Sequence, residues 1–183
     1  MNNRFRHMTF GIANQLGKIF FLSLFLMGCN TPPPGPAPVD PHQTLEETNQ
    51  ALLEMEQQEI IDFIERYGWD ATETGSGLWY YIYRQGGGPL AQTGQWATIR
   101  YSIRLLTGDL VYESGEEEPK NFRIGRGGVE SGLEEGILLM RLGDRAKFIM
   151  PAHLAHGVPG DGYRIPKRAA IVYDVELIGL ADH

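Results

Sequence analysis

Gly132-Leu133-Glu134-Glu135-Gly136-Ile137-Leu138-Leu139-Met140 is followed, past Gly143, by Arg145-Ala146-Lys147-Phe148-Ile149-Met150. The first run sets Leu133, Ile137 and Met140 at helical spacing, which predicts a helix over 133–140 with one apolar stripe. The second run predicts a strand over 145–150. Working outward, almost everything else reads as β. Leu78 to Arg84 is aromatic and strand-like, and Gly86-Gly87-Gly88-Pro89 breaks it. Trp96 to Leu105 is a further strand, turned by Thr107-Gly108-Asp109 into Leu110 to Tyr112. Phe122-Arg123-Ile124 is short, and Ala169 to Leu180 alternates through Ile171, Tyr173, Val175 and Leu177. Strands surrounding one short internal helix define an α+β domain with a mainly antiparallel sheet.

Upstream of the strands, Thr44 and Glu47 form a Thr-x-x-Glu capping box. Leu52, Leu53, Ile60, Ile61, Phe63, Ile64 and Tyr67 then recur at helical spacing, and Gly68 is the stop. The first half of this helix is polar on nearly every face, so the docking stripe is expected from Leu52 onward. The plain reading is a helix that leads into the domain and packs on it. The alternative is a dimerisation helix, which would make the protein a homodimer.

The N-terminus reads as an address. Arg4, Arg6 and Lys18 precede the apolar run Ile19 to Met27. That run falls well short of the roughly 20 residues a spanning helix needs, and its flanks are those of a signal peptide. Leu26-Met27-Gly28-Cys29 resembles the lipobox of bacterial lipoproteins, in which the cysteine sulfur receives a diacylglycerol. The alternative is an ordinary signal peptide with an incidental thiol at Cys29. Asn30 stands where an aspartate would retain many lipoproteins in the inner membrane, so an outer-membrane anchor facing the periplasm is the expectation. Pro32, Pro33, Pro34, Pro36, Pro38 and Pro41 follow, six of the chain's 11 prolines. Such a run favours extended polyproline II and suits a spacer, or else a proline-recognition ligand. The chain thus divides into a signal over 1–28, lipidated Cys29 and linker over 29–43, helix and lead-in over 44–76, and the main domain over 77–183.

Composition limits the function classes. Of 183 residues, 42% are apolar and 21% charged, which excludes a wholly disordered chain and a multi-span membrane protein. The formal charge is −7. With Arg4, Arg6 and Lys18 of the leader set aside, 13 of the 16 basic side chains face all 23 acidic ones, a net of −10. That balance argues against a nucleic-acid partner, which requires a basic face. One cysteine excludes an internal disulfide and a thiolate-rich metal site.

The order and punctuation from about Gly77 to Leu180 resemble an FKBP-type peptidyl-prolyl cis-trans isomerase domain. The resemblance is carried by Tyr101, Gly108, Phe122-Arg123-Ile124-Gly125, Gly132-Leu133-Glu134-Glu135-Gly136, Met140, Gly143 and Arg145-Ala146-Lys147. It continues through Pro151, Ala155, Gly157, Ile165-Pro166 and Val172-Tyr173-Asp174-Val175-Glu176-Leu177. The preceding helix is similar to that of lipid-anchored bacterial members, including isomerase lipoproteins associated with gliding motility. The resemblance implies a twisted five-stranded antiparallel sheet wrapped over one short helix, with an apolar slot between them for a substrate proline. Rotation about a peptide bond faces a barrier of about 18–20 kcal/mol, because resonance is lost on the way. The twisted amide is less polar than the planar one, so a dry slot favours it without nucleophile, metal or redox cofactor. A millionfold acceleration needs about 8 kcal/mol of differential binding.

Carried onto this sequence, the resemblance implies Tyr101 and Tyr173 as aromatic walls and Leu133 as the floor under the prolyl ring. The backbone N–H of Glu130 would bond a substrate carbonyl, with Tyr112 and His156 beside it. Val111, Val129 and Ile165 would complete the apolar lining. The sequence departs from the family at several of these positions. Leu133 stands for a frequent Trp, Val111-Tyr112 for a Phe-Asp pair, His156 for a Tyr, and Lys120 for the aromatic after Pro119. Clients would be proline-containing polypeptides of the envelope.

The same residues carry plainer readings. Tyr101, Tyr173, Leu133 and Ile165 could be core alone. His153 and His156 lack a third metal ligand in a fixed motif. Glu116-Glu117-Glu118 reads as a solvated loop, and Gly125-Arg126-Gly127-Gly128 lacks the endings of a phosphate-binding loop. Glu134 and Glu135 are adjacent on a helix and point about 100° apart, a poor acid–base pair. Two function classes remain: an isomerase, or a non-catalytic FKBP-like chaperone or binding module tethered to the membrane.

Overall fold

The computed structural model describes residues 41–182. The leader, Cys29 and the proline run up to residue 40 lie outside the described residues. Helix α1 spans Pro41–Tyr67. It therefore starts three residues ahead of the expected capping box, and Thr44 lies within its first turn. Gly68, at φ 63°, ends it as foreseen. The Trp69 N–H bonds the Ile64 carbonyl at 3.2 Å and the Gly68 N–H bonds Glu65 at 3.1 Å, which closes the last turn in a Schellman arrangement.

Seven strands follow: β1 Thr72–Glu73, β2 Trp79–Arg84, β3 Trp96–Leu105, β4 Leu110–Glu113, β5 Lys120–Arg123, β6 Arg145–Met150 and β7 Ile171–Ala181. Helix α2, Ser131–Ile137, lies between β5 and β6. Every pairing is antiparallel, in the order β1-β2-β6-β7-β3-β4, with β5 also on β3. The α+β class and the antiparallel sheet hold, while the expected five strands become seven. One addition is β1, a two-residue edge on β2 too short to carry a period. The other arises because β4 and β5 share one edge of β3. β4 pairs Ser102–Arg104 and β5 pairs Trp96–Ile99. Between them lies Pro119, which has no N–H to give a ladder.

The internal helix is also displaced from the expected 133–140. It begins at Ser131, and beyond Ile137 the N–H groups of Leu138, Leu139 and Met140 bond carbonyls three residues back. The tail of the expected helix is thus wound more tightly, in 3-10 fashion.

Alternation along β6 and β7 sorts their side chains to two faces. Phe148, Ile171, Tyr173, Val175 and Leu177 join Leu133, Ile137 and Met140 of the α2 side in the main core. Ile149 and Val172 point the other way and meet Ile60, Phe63 and Ile64 of α1, flanked by Trp69 and Trp79. The sheet is therefore covered on both faces. Docking of α1 begins about two turns later than the sequence suggested, since Leu52, Leu53 and Met55 are exposed and Ile60 is the first buried residue. Glu56 ties the helix down as well, its Oε1 accepting the Ala152 N–H at 2.6 Å.

Two glycines set how closely α2 approaches the sheet. A Cβ on Gly136 would stand 2.8 Å from three atoms of the Phe148 ring, and one on Gly132 would stand 2.9 Å from Met150 Sδ. The helix rests its backbone on β6, which puts Leu133 under the sheet at full burial.

Candidate functional site

The nine site residues come from five places in the chain: seven share the α2–sheet core, and Glu130 and His156 pair with each other. Tyr101 on β3 and Tyr173 on β7 face each other with ring centroids 5.6 Å apart and planes tilted by 37°. Their strands bring them together, because Ile103 pairs with Tyr173 and Tyr101 with Val175. Leu133, Val111, Ile165 and Tyr173 are buried in the main core, and Tyr101, Tyr112 and Val129 pack against it half-buried. The structure thus gathers the wall, floor and lining residues around one apolar centre.

Glu130 and His156 add a polar edge. His156 Nε2 stands 3.1 Å from Glu130 Oε1, and the glutamate side chain is only 11% exposed. The other oxygen, Oε2, is buried, and so is the Tyr173 hydroxyl, which interacts with the Glu130 side chain. Burial, reinforced by the Glu130 charge, pushes the Tyr173 phenol far above its ordinary range and also raises that of Tyr101. Both phenols therefore stay neutral at any physiological pH, as polar groups within a largely apolar wall.

Tyr112 on β4 takes a partner that the sequence reading did not find. Its hydroxyl bonds Asp161, and the other oxygen of that carboxylate accepts the N–H groups of Tyr163, Arg164 and Ile165 at 2.8, 2.9 and 2.7 Å. The Tyr112 bond, helped by these amides, holds Asp161 well below the usual carboxylate range. The same bond raises the Tyr112 phenol. Arg164 closes the corner, with its guanidinium 5.4 Å from the Tyr112 ring centre and Nη1 donating to the Val111 carbonyl at 2.7 Å. A carboxylate is therefore present next to position 112, supplied by the loop before β7 instead of by β4. The sequence signal was Asp161-Gly162, a turn dipeptide, with Ile165 four residues on. Lys120, already marked as a departure, holds its ammonium 5.7 Å from the Tyr101 ring centre.

The competing motifs find local partners. His153 Nε2 lies 3.0 Å from the Ser76 carbonyl, away from His156 and its glutamate. The glycine loop before α2 turns its Gly127 N–H to Glu134 Oε1 at 2.9 Å, so one of the chain's own carboxylates occupies it. Glu135 accepts the Ser76 hydroxyl at 2.6 Å, and the two adjacent glutamates diverge as their spacing requires.

An antiparallel sheet packed over a short helix, with the Tyr101 and Tyr173 rings facing each other from neighbouring strands, is the arrangement that the resemblance to a prolyl isomerase implies. Residues 88–178 match the family described as FKBP-type peptidyl-prolyl cis-trans isomerase. FK506-binding protein 2 of Dictyostelium discoideum is 38% identical over 90 residues, 49% of this chain and 68% of that protein. FK506-binding protein 1A of Neurospora crassa is 32% identical over 108 residues, 57% of this chain and 88% of that protein. Two longer relatives, both called FK506-binding protein 4, are covered over 29% and 28% of their lengths. Among solved structures, a peptidyl-prolyl cis-trans isomerase from Pseudomonas syringae superimposes with a TM-score of 0.62 at 25% identity. That match covers 72% of this chain and 95% of the other. The chain belongs to the FKBP-type peptidyl-prolyl cis-trans isomerase family, and the activity it carries is rotation of X-Pro peptide bonds.

Proposed function

We propose that this isomerase binds the proline of an extended client between Tyr101 and Tyr173, over Leu133, and serves envelope proteins from a lipid anchor on Cys29. The observation that supports the site assignment is that seven of the nine residues share one apolar core, with Leu133 and Tyr173 wholly buried in it, while Glu130 and His156 pair with each other. Val111, Val129 and Ile165 line the slot, and the Glu130 N–H receives a client carbonyl. As the amide twists it sheds polarity, so the apolar walls bind the twisted form better than the planar one, and that difference lowers the barrier. The Tyr112–Asp161 pair orders the lip of the slot in place of a carboxylate on β4. The lipid-anchored placement is supported by the lipobox-like Leu26-Met27-Gly28-Cys29 and the proline run behind it.

Exchange spectroscopy by NMR on a peptide such as Ala-Leu-Pro-Phe, with the full chain added in catalytic amounts, tests the site. Acceleration of cis–trans exchange that falls in Tyr101→Ala supports it. An exchange rate that Tyr101→Ala leaves untouched removes Tyr101 from the slot. A rate equal to the uncatalysed one leaves a binding module in place of an enzyme.

A further inference from the structure

The loop that carries His156 is fastened to α1, a helix that lies ahead of the family-matched residues. After β6 the chain makes a 3-10 turn at Ala152–Leu154, and Pro151 ahead of it offers no side-chain cap. The acceptor comes instead from Glu56 of α1, whose Oε1 takes the Ala152 N–H at 2.6 Å across 96 residues of sequence. Over residues 44–59 of α1, Glu56 alone is not exposed. Ile60 follows one helical turn later on the same face and docks on the sheet. The Ala152 carbonyl in turn accepts the N–H groups of Ala155 and Gly157, the two neighbours of His156, at 3.0 and 2.7 Å. His156 Nε2 then meets Glu130 Oε1 at 3.1 Å. One line of contacts thus runs from α1 to the polar pair of the proposed slot.

We infer that Glu56 is a positioning residue for the prolyl slot, fixing from α1 the loop that presents His156 to Glu130. The inference rests on the slot assigned above, because it takes His156 and the Glu130 N–H to stand beside the client. A carboxylate that accepts an amide N–H makes a charge-assisted bond, stronger than a neutral one. Without Glu56 the N–H of Ala152, a buried residue, loses its partner. Other ties still hold the loop to the domain. Ser131 Oγ donates to the Leu154 carbonyl at 3.3 Å, the Arg168 N–H donates to the Gly157 carbonyl at 3.2 Å, and His153 Nε2 lies 3.0 Å from the Ser76 carbonyl. Loss of Glu56 therefore displaces the loop without unfolding it. Catalysis by fit is sensitive to such a displacement.

The test measures kcat/KM by exchange spectroscopy on Ala-Leu-Pro-Phe and records the His156 ring signals, all on the full chain. Glu56→Ala should lower kcat/KM about tenfold and move the His156 signals. Glu56→Gln keeps an acceptor at the same reach and should hold kcat/KM within about threefold of the wild type. Ile60→Val loosens the packing of α1 and spares the bond, so it should lower the urea midpoint with kcat/KM changed less than about twofold. An unchanged kcat/KM in Glu56→Ala overturns the inference and leaves Glu56 a fastener of the helix alone. A fall in Glu56→Gln or Ile60→Val as deep as that in Glu56→Ala overturns it too. Should Glu56→Ala not fold, Glu56→Asp decides. Its carboxylate stops one methylene short, so its kcat/KM should lie below that of Glu56→Gln, and equal values overturn the inference. A wild-type exchange rate equal to the uncatalysed one refutes catalysis at the slot, and the His156 signals then judge Glu56 separately. Movement in Glu56→Ala that Glu56→Gln reverses upholds the positioning role, and no movement overturns it.

Discussion

At Asp161 one carboxylate collects four donors, the Tyr112 hydroxyl and three successive backbone amides. Those amides fix the loop that carries Ile165 into the core. Asp161→Ala releases it, and a misplaced lining residue lowers kcat/KM by on the order of tenfold to a hundredfold. Tyr112→Phe, which spares the amides, costs less. Exchange spectroscopy on one peptide measures both. The pH dependence has a definite sign. Folded Asp161 titrates below its unfolded value of about 3.9. Between the two values the unfolded chain binds more protons, so the stability this group adds is present above pH 4 and lost as the pH falls toward the folded value. In the folded protein the amide signals of residues 163–165 should keep their positions through pH 4 and shift only as the pH nears that lower value, and in Asp161→Asn that acid-dependent step should vanish. None of this could be read from spacing. The nine proposed site positions could be named because glycines and aromatics punctuate the chain in a familiar order, whereas Asp161 gains its contacts only from the path of a loop.

The approach of α2 to β6 is an element-scale property, written as Gly132 and Gly136 four residues apart on one helical face. Gly136→Ala should raise helix propensity by up to about 1 kcal/mol. It also drives a methyl into the Phe148 ring, at a cost of about 1–3 kcal/mol. The clash wins, so urea denaturation should show net destabilisation, and Phe148→Leu in the same chain should recover part of it through coupling of the two sites. Regular elements were the most legible part of the fold. β3 and β6 fall on the expected residues, and β7 keeps its alternation because each of its faces meets a different core. Boundaries were least legible where tertiary contact overrides local pattern. The 3-10 tail of α2 is one case, and another is the exposed Leu52 and Leu53 of α1, whose helical spacing suggested docking.

For the whole molecule, sequence and structure divide the work. The fold lies in residues 41–182, and the proposed attachment lies ahead of them. Cys29→Ser should move the protein from the membrane pellet to the soluble fraction and abolish labelling by a clickable palmitate analogue. Unchanged pelleting with no acyl label on the wild type would refute the anchor. With −10 left outside the leader, attraction to anionic lipid offers no substitute for an acyl chain.

The strand β7, last of the seven in sequence, lies inside the sheet between β3 and β6. It pairs with β3 from Trp96↔Ala181 to Leu105↔Ile171, so the main ladder joins segments far apart in the chain. Until β7 has left the ribosome, β3 and β6 have no common neighbour and the core has no second wall. Contacts of such long range delay closure of the sheet. A growing chain of this topology stays open until β7 has been made, since none of the other described strands stands between β3 and β6.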